Sequence, residues 1–199
     1  MEYLCSVDQY LAKIIKNVGK YTIRKRKDSY LSLIEAIIYQ QLNGKAASTI
    51  YNRFLKYFDG YIPEPHQILS STEVELRANV GLSKMKIAYL KDLAAHIADG
   101  RLNLNDLPSM TDEDVITQLT RVKGIGRWTA EIFLIFCLGR EDVLPVTDLG
   151  LRNAIKRTYL LDELPKPDKM IEIANPWRPY RSIATWYMWK SLSNFSTIG

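Results

Sequence analysis

Hydrophobic residues recur at three- and four-residue spacing along almost the whole chain, and nowhere do they alternate with polar ones as a half-buried strand requires. Val7, Leu11, Ile14 and Ile15 predict a helix over 7–18. Leu33 with Ile37, and Ile34 with Ile38, predict a second one, opened by Ser29 as its cap and ending near Tyr39–Gly44. Ile50, Phe54 and Tyr57 place a third over 46–58, after which Pro63 and Pro65 read as a loop. Shorter patterns cover 71–80 and 84–99, the latter with Ile87, Leu90, Ala94 and Ile97 on one face. Beyond Gly100 and Pro108, the residues Val115, Ile116 and Leu119 mark a helix over 111–121. It starts at Thr111 with Asp114 three residues on, a variant of the capping box. Another helix begins at Arg127, with Trp128, Ile132 and Ile135 on one side. Asp148 precedes a helix over 149–160. Pro165 and Pro167 introduce a short helix broken at Pro176, and a final one runs from near Pro179 to about Asn194. The expected fold class is all-α, with no internal repeat.

Composition narrows the class. A chain of 199 residues, 47% hydrophobic, makes one domain or two small interleaved ones. The net charge of +5 favours a polyanionic partner without demanding one. The run Lys20-Tyr-Thr-Ile-Arg-Lys-Arg-Lys27 reads equally as a solvated loop or as a phosphate contact. Cys5 and Cys137 are the two cysteines. They cannot supply the four thiolates of an iron–sulfur cluster or a structural zinc site. No signal-peptide core and no apolar run of about 20 residues is present, so an intracellular protein with no membrane association is expected, in the cytoplasm or nucleoid, or in a nucleus.

The stretch Leu119-Thr-Arg-Val-Lys-Gly-Ile-Gly-Arg-Trp-Thr-Ala130 reads as helix, tight glycine hairpin, helix. Gly124 and Gly126 let the backbone turn sharply and let a ligand approach the main chain. The first amides of the second helix lack intrahelical partners and carry the positive end of its dipole, which suits a phosphate. Taken alone, the glycines favour a helix C-cap followed by a turn. A dinucleotide fingerprint is disfavoured: it needs a preceding strand, a third glycine and a later acidic residue. The whole string Val-Lys-Gly-Ile-Gly-Arg-Trp-Thr-Ala, followed by Asp148-Leu-Gly150, resembles the helix-hairpin-helix DNA glycosylases, in their 3-methyladenine DNA glycosylase II branch. Trp-Arg-Pro-Tyr-Arg-Ser at 177–182 and Trp-Tyr-Met-Trp at 186–189 are similar to the same branch.

That resemblance covers nearly the whole chain and implies a two-lobed fold without the N-terminal β-domain of longer relatives. One lobe is a helical barrel over 29–140 that contains the hairpin. The other is built from 1–28 and 141–199, with the active site in the cleft between them. It implies a monofunctional glycosylase that hydrolyses the N-glycosidic bond of alkylated, cationic purines in duplex DNA, working as a monomer at the first step of base excision repair. Gly124, Gly126 and Thr129 would hold a backbone phosphate through their amides, with Lys123 and Arg127 adding charge. Leu42 would be a wedge inserted where the base leaves the stack, flanked by Gln41 and Asn43. Trp128, Trp186, Trp189 and Tyr39 would line the base pocket, where indole faces attract a cationic purine. The carbonyls of Thr120, Val122 and Gly124 would hold a monovalent cation, Na+ or K+. No cofactor is required otherwise.

Asp148 carries the chemistry in that picture. Its position before a helix is that of an ordinary N-cap, and the two roles are compatible. A fixed carboxylate beside the sugar stabilises the positive charge that develops as the glycosidic bond breaks. Relatives that also cut the backbone place a lysine where this chain has Trp128, and tryptophan cannot form a Schiff base. Two alternatives remain: a helix-hairpin-helix module that grips DNA without catalysis, and a glycosylase for another damaged base.

Overall fold

The computed structural model describes residues 1–23, 26 and 28–192. All elements among the described residues are helical. The chain divides into two compact units, Arg26–Phe133 and Met1–Lys25 with Leu134–Gly199. Of the basic run, Arg24, Lys25 and Lys27 lie outside the described residues, as does the expected end of the last helix near Asn194.

The first unit is built around α3 (Ser29–Tyr39), whose Leu33, Ile34, Ile37 and Ile38 are all fully buried. Apolar positions so closely spaced leave only a narrow polar edge at Ser29, Ser32 and Glu35, so most of the helix must be covered by others. It packs against α4 (Gly44–Tyr57), α7 (Lys84–Ala98) and α9 (Arg127–Phe133). Each such side chain contributes roughly 1.5–3 kcal/mol by leaving water. The cap of α3 differs from the expectation: Asp28, not Ser29, accepts the Leu31 amide at 2.9 Å. The aspartate stands one residue earlier, and its carboxylate makes a charge-assisted bond to that amide. Pro65 also departs from the loop reading. It is the first residue of α5 (Pro65–Ser70), where a missing N–H costs nothing, and Glu64 and Gln67 close a capping box around it. Next come the single turn α6 (Glu73–Glu75), which runs on into a π-helical turn Leu76–Val80, and α8 (Asp112–Thr120), capped by Thr111 as the spacing predicts.

The second unit starts with α1 (Glu2–Val7), which has no strong periodicity, and α2 (Gln9–Val18). Asp8 separates them. One carboxylate oxygen accepts the Tyr10 and Leu11 amides, both at 2.9 Å. The other accepts the Tyr159 hydroxyl and, at 2.8 Å, the Trp177 indole N–H. The chain's first helices are thereby tied to its last third. α9 runs into a π-helical turn Leu134–Leu138, and α10 (Leu149–Thr158), α11 (Pro167–Ala174) and α12 (Arg181–Lys190) follow. α12 packs on α2 and α10, with Trp186, Tyr187, Met188 and Trp189 all buried. Glu141 and Asp142 lie beyond the π-helical turn that follows α9. Asp142 is gripped by Arg178 (2.7 Å) and Arg181 (2.7 Å).

Candidate functional site

Asp148 is the N-cap of α10, with extended backbone at φ −66° and ψ 118°. Its Oδ1 accepts the Leu151 amide at 2.5 Å and the Trp189 indole N–H at 2.8 Å. Asp148 as a whole is 9% exposed. Gly150 stands against both partners: a Cβ there would come within 3.2 Å of Asp148 Oδ1 and 3.5 Å of the Trp189 ring. Trp189 is itself fixed by stacking on Phe136, with centroids 5.9 Å apart and planes at 14°. The outcome is a carboxylate of one orientation, set by a helix terminus and a buried indole.

The hairpin lies in the other unit. Gly124 has φ +85°, and a Cβ on it would fall 2.2 Å from the Tyr89 ring, so only glycine fits. Gly126 differs, since a Cβ there meets nothing within 4 Å. The helical ladder of α9 opens with the Ala130 amide bonded to the Gly126 carbonyl at 3.1 Å. The amides of Arg127, Trp128 and Thr129 therefore precede its first rung. The Lys123 amide donates to Asp92 Oδ2 at 2.8 Å, while the Lys123 side chain is exposed. Arg127, expected to add charge at the hairpin, has carboxylate partners in this structure. Its guanidinium donates to both oxygens of Glu113 (2.6 and 3.0 Å) and to Glu131 (3.1 Å). These bonds raise the pKa of Arg127 and hold the Glu113 carboxyl below the usual carboxylate range. Its charge is offset by two carboxylates, and it braces α8 against α9 instead of standing ready for a phosphate.

The turn between α3 and α4 is set residue by residue. Gln40 leaves the helix at φ −52°, ψ 133° and donates its side-chain amide to the Gly124 carbonyl at 2.7 Å. Gln41 takes a left-handed φ of +56°, a conformation that costs a non-glycine residue energy. Leu42 is 37% exposed. Asn43 caps α4, accepting the Ala46 amide at 2.9 Å.

A model of the HhH-GPD superfamily base excision DNA repair proteins matches residues 34–179, a span that includes the turn, the hairpin and Asp148. The chain belongs to that superfamily. It is 34% identical over 194 residues to DNA-3-methyladenine glycosylase 1 of Schizosaccharomyces pombe, covering 95% of this chain and 85% of that protein. YfjP of Bacillus subtilis is 40% identical over 169 residues, 82% of this chain, and the chain spans 58% of that relative's length. The solved structure of the Schizosaccharomyces pombe 3-methyladenine DNA glycosylase Mag1, in complex with abasic DNA, matches with a TM-score of 0.86 at 34% identity, over 95% of this chain and 94% of that one.

Within this HhH-GPD chain, the four aromatics expected at the base pocket differ in exposure. Trp186 and Trp189 are 3% and 2% exposed, so neither offers an open ring face. Trp186 packs edge-on against Tyr21 (5.0 Å) and Tyr187 (4.9 Å), and Trp189 is occupied by Phe136 and Asp148. Both side chains are held by these neighbours on the buried face of α12. Trp128 and Tyr39 are the exposed aromatics of the expected set, at 43% and 37%. Trp128 accordingly lies off the buried face of α9, which is formed by Thr129, Ala130 and Phe133. Tyr39 packs edge-on against Tyr51 at 6.2 Å, its hydroxyl 3.2 Å from that of Ser48. The sequence reading missed Gln40, Lys86 and Asp92. Lys86 carried a legible signal: it sits one turn before Leu90 on a stripe that is otherwise apolar.

Proposed function

We propose that the chain is a monofunctional DNA glycosylase that releases alkylated, cationic purines from duplex DNA. The orientation of Asp148 carries the reading. A carboxylate pinned through Oδ1 by the Leu151 amide and the Trp189 indole keeps one geometry through the reaction. In the reaction, the C1′–N bond breaks with its electron pair leaving on the base, positive charge grows on the sugar, and water adds at C1′. A fixed negative charge there lowers the barrier most when the charge is fully developed. A purine that already carries positive charge leaves readily, so no strong general acid is needed.

The name of the fission yeast relative and the abasic DNA in its Mag1 structure support both the reaction and the partner. Lys123 with the amides at the start of α9 would take a backbone phosphate, and Leu42 would enter the gap left by the base. The exposed Trp128 would face the cationic purine. It stands where a Schiff-base lysine would be needed for strand cleavage. The carbonyls of Thr120, Val122 and Gly124 would hold a monovalent cation. Those of Val122 and Gly124 already accept one bond each, from Ile125 N–H (3.1 Å) and Gln40 (2.7 Å), and each keeps a second lone pair for an ion.

The test is incubation with methylated duplex DNA, with analysis of the released bases and of the strand. Free 3-methyladenine or 7-methylguanine is expected, from a strand that breaks only in hot alkali. Tight binding without base release would leave a DNA-binding module. A borohydride-trapped protein–DNA adduct would show an amine nucleophile and overturn the monofunctional reading.

A further inference from the structure

One edge of α7 carries three residues at three-residue spacing, and each fixes a different part of the α3 end or the hairpin backbone. Lys86 is buried, and its ammonium donates to the Ile38 carbonyl at 2.6 Å. That carbonyl belongs to the last turn of α3, where unpaired acceptors and the negative end of the dipole welcome a cation. Burial pushes the Lys86 pKa down. Tyr89 lays its ring against the Cα of Gly124. Asp92 accepts the Lys123 amide at 2.8 Å. One turn on, His96 braces Asp92: its Nδ1 lies 2.9 Å from the Asp92 carbonyl and 3.4 Å from Oδ2. The end of α3 and the tip of the hairpin thus rest on one helix. Gln40 closes the circuit directly, from the turn to the Gly124 carbonyl at 2.7 Å.

We infer that Gln40 is a positioning residue. It locks the turn that carries Leu42 to the hairpin, so that a hairpin seated on the DNA backbone fixes where the leucine points. The side chain acts through Leu42 and Gly124 and touches no DNA itself. Three observations join in this. The amide of Gln40 is spent on a main-chain carbonyl 84 residues away. Gln41, the next residue, is held in a left-handed conformation that needs its neighbours fixed. Leu42 is then caught between the Tyr39 carbonyl, bonded to its amide at 3.3 Å, and the helix cap at Asn43. With Gln40 released, the turn keeps its cap and its α7 anchor but loses its register to the hairpin.

The test uses Gln40→Met, which keeps length and shape and removes the donor, in two arms. Hydrogen exchange of the free protein is the first. The variant is expected to exchange faster in the hairpin segment 121–126 as well as in the turn 39–43, with an unchanged thermal midpoint. Faster exchange in the turn alone, with the hairpin unmoved, would overturn the coupling. The second arm rests on the glycosylase reading. Binding to intact duplex should stay within about twofold, while preference for duplex with an abasic analogue and single-turnover excision fall about 5- to 20-fold. An equal loss on intact duplex would make Gln40 a direct DNA contact and overturn the inference. Absence of any abasic preference in the unsubstituted protein would count against the glycosylase reading, and the exchange arm would still decide the coupling.

Discussion

A single oxygen of Asp148 takes both the Leu151 amide, at 2.5 Å, and the indole N–H of Trp189, at 2.8 Å. The first bond is the ordinary work of a helix cap. The second comes from a residue 41 positions away that is itself locked by stacking on Phe136. Cap and proposed catalytic group are therefore one arrangement: what fixes the helix start also fixes the carboxylate.

Asp148→Asn should separate the two roles. An asparagine oxygen still accepts both bonds and is as good a cap, so folding should persist. The charge facing the developing cation is lost, and excision in single turnovers should fall by about 10²–10³. Duplex affinity should hardly change. Near-normal excision by this variant would move the chemistry to another residue.

Trp189→Phe tests the orienting bond. Phenylalanine keeps the stack on Phe136 and loses the donor. A hydrogen bond to a charged group contributes about 1.5–3 kcal/mol, so the excision rate should drop at least about tenfold. Affinity for intact duplex, measured alongside, should stay level. Parallel losses of both would mean that Trp189 acts only as packing.

Much of this was legible in the sequence, and the misses have physical reasons. Apolar periodicity located α3, α4, α7 and α8 because each buries one continuous face. It missed α5, since Pro65 reads as a breaker until Glu64 and Gln67 are seen to form a capping box around it. The glycines stood out by their spacing, whereas Asp148 and Leu42 were picked out by the resemblance to the helix-hairpin-helix glycosylases, local sequence alone giving a helix cap and a turn. The role of Trp189 was not legible: an indole that orients a carboxylate and one that lines a pocket look alike in a helical stripe. Arg127 looked like a free cation because Glu113, 14 residues back, becomes its partner only once the hairpin folds. Gln40 was passed over because a bond across 84 residues leaves no local trace.

The two hairpin glycines should respond differently to alanine. At Gly124 a Cβ collides with the Tyr89 ring and the backbone is left-handed, so Gly124→Ala should lower the thermal midpoint and disrupt the hairpin. At Gly126 the added methyl meets open space. Gly126→Ala should melt normally. If a phosphate approaches the main chain there, the variant should nevertheless bind duplex more weakly. Normal binding by this variant would place the phosphate elsewhere.

Lys123 and Arg127 should part in a salt titration. The Lys123 side chain is exposed, and its loss should reduce the slope of log affinity against log salt by about 0.9, the signature of one phosphate contact. Arg127 is bonded to Glu113 and Glu131. Arg127→Gln should leave the slope nearly unchanged and lower the melting temperature through the loss of the α8–α9 brace. Equal slope changes would show that Arg127 abandons its carboxylates when DNA arrives.

Alkaline pH should loosen the fold through two tyrosines, one in each unit. Tyr21 is pushed up to about 12, first by burial and then by Glu141 and Tyr187. Tyr51 is also raised to about 12, by burial and by Glu35, which accepts its hydroxyl. In the unfolded chain both phenols ionise near 10. Between roughly pH 10 and 12 the unfolded chain therefore holds fewer protons than the folded one, and stability falls as pH rises. Lys86 works in the other direction, because its pKa is lowered on folding and the unfolded chain keeps that proton longer. Phenylalanine at either tyrosine removes its share without touching Lys86. Denaturant midpoints at about pH 8 and about pH 11 should converge for Tyr21→Phe and for Tyr51→Phe relative to the parent chain. Identical pH slopes in all three proteins would mean that these phenols ionise as easily folded as unfolded. Burial would then not be what holds their protons.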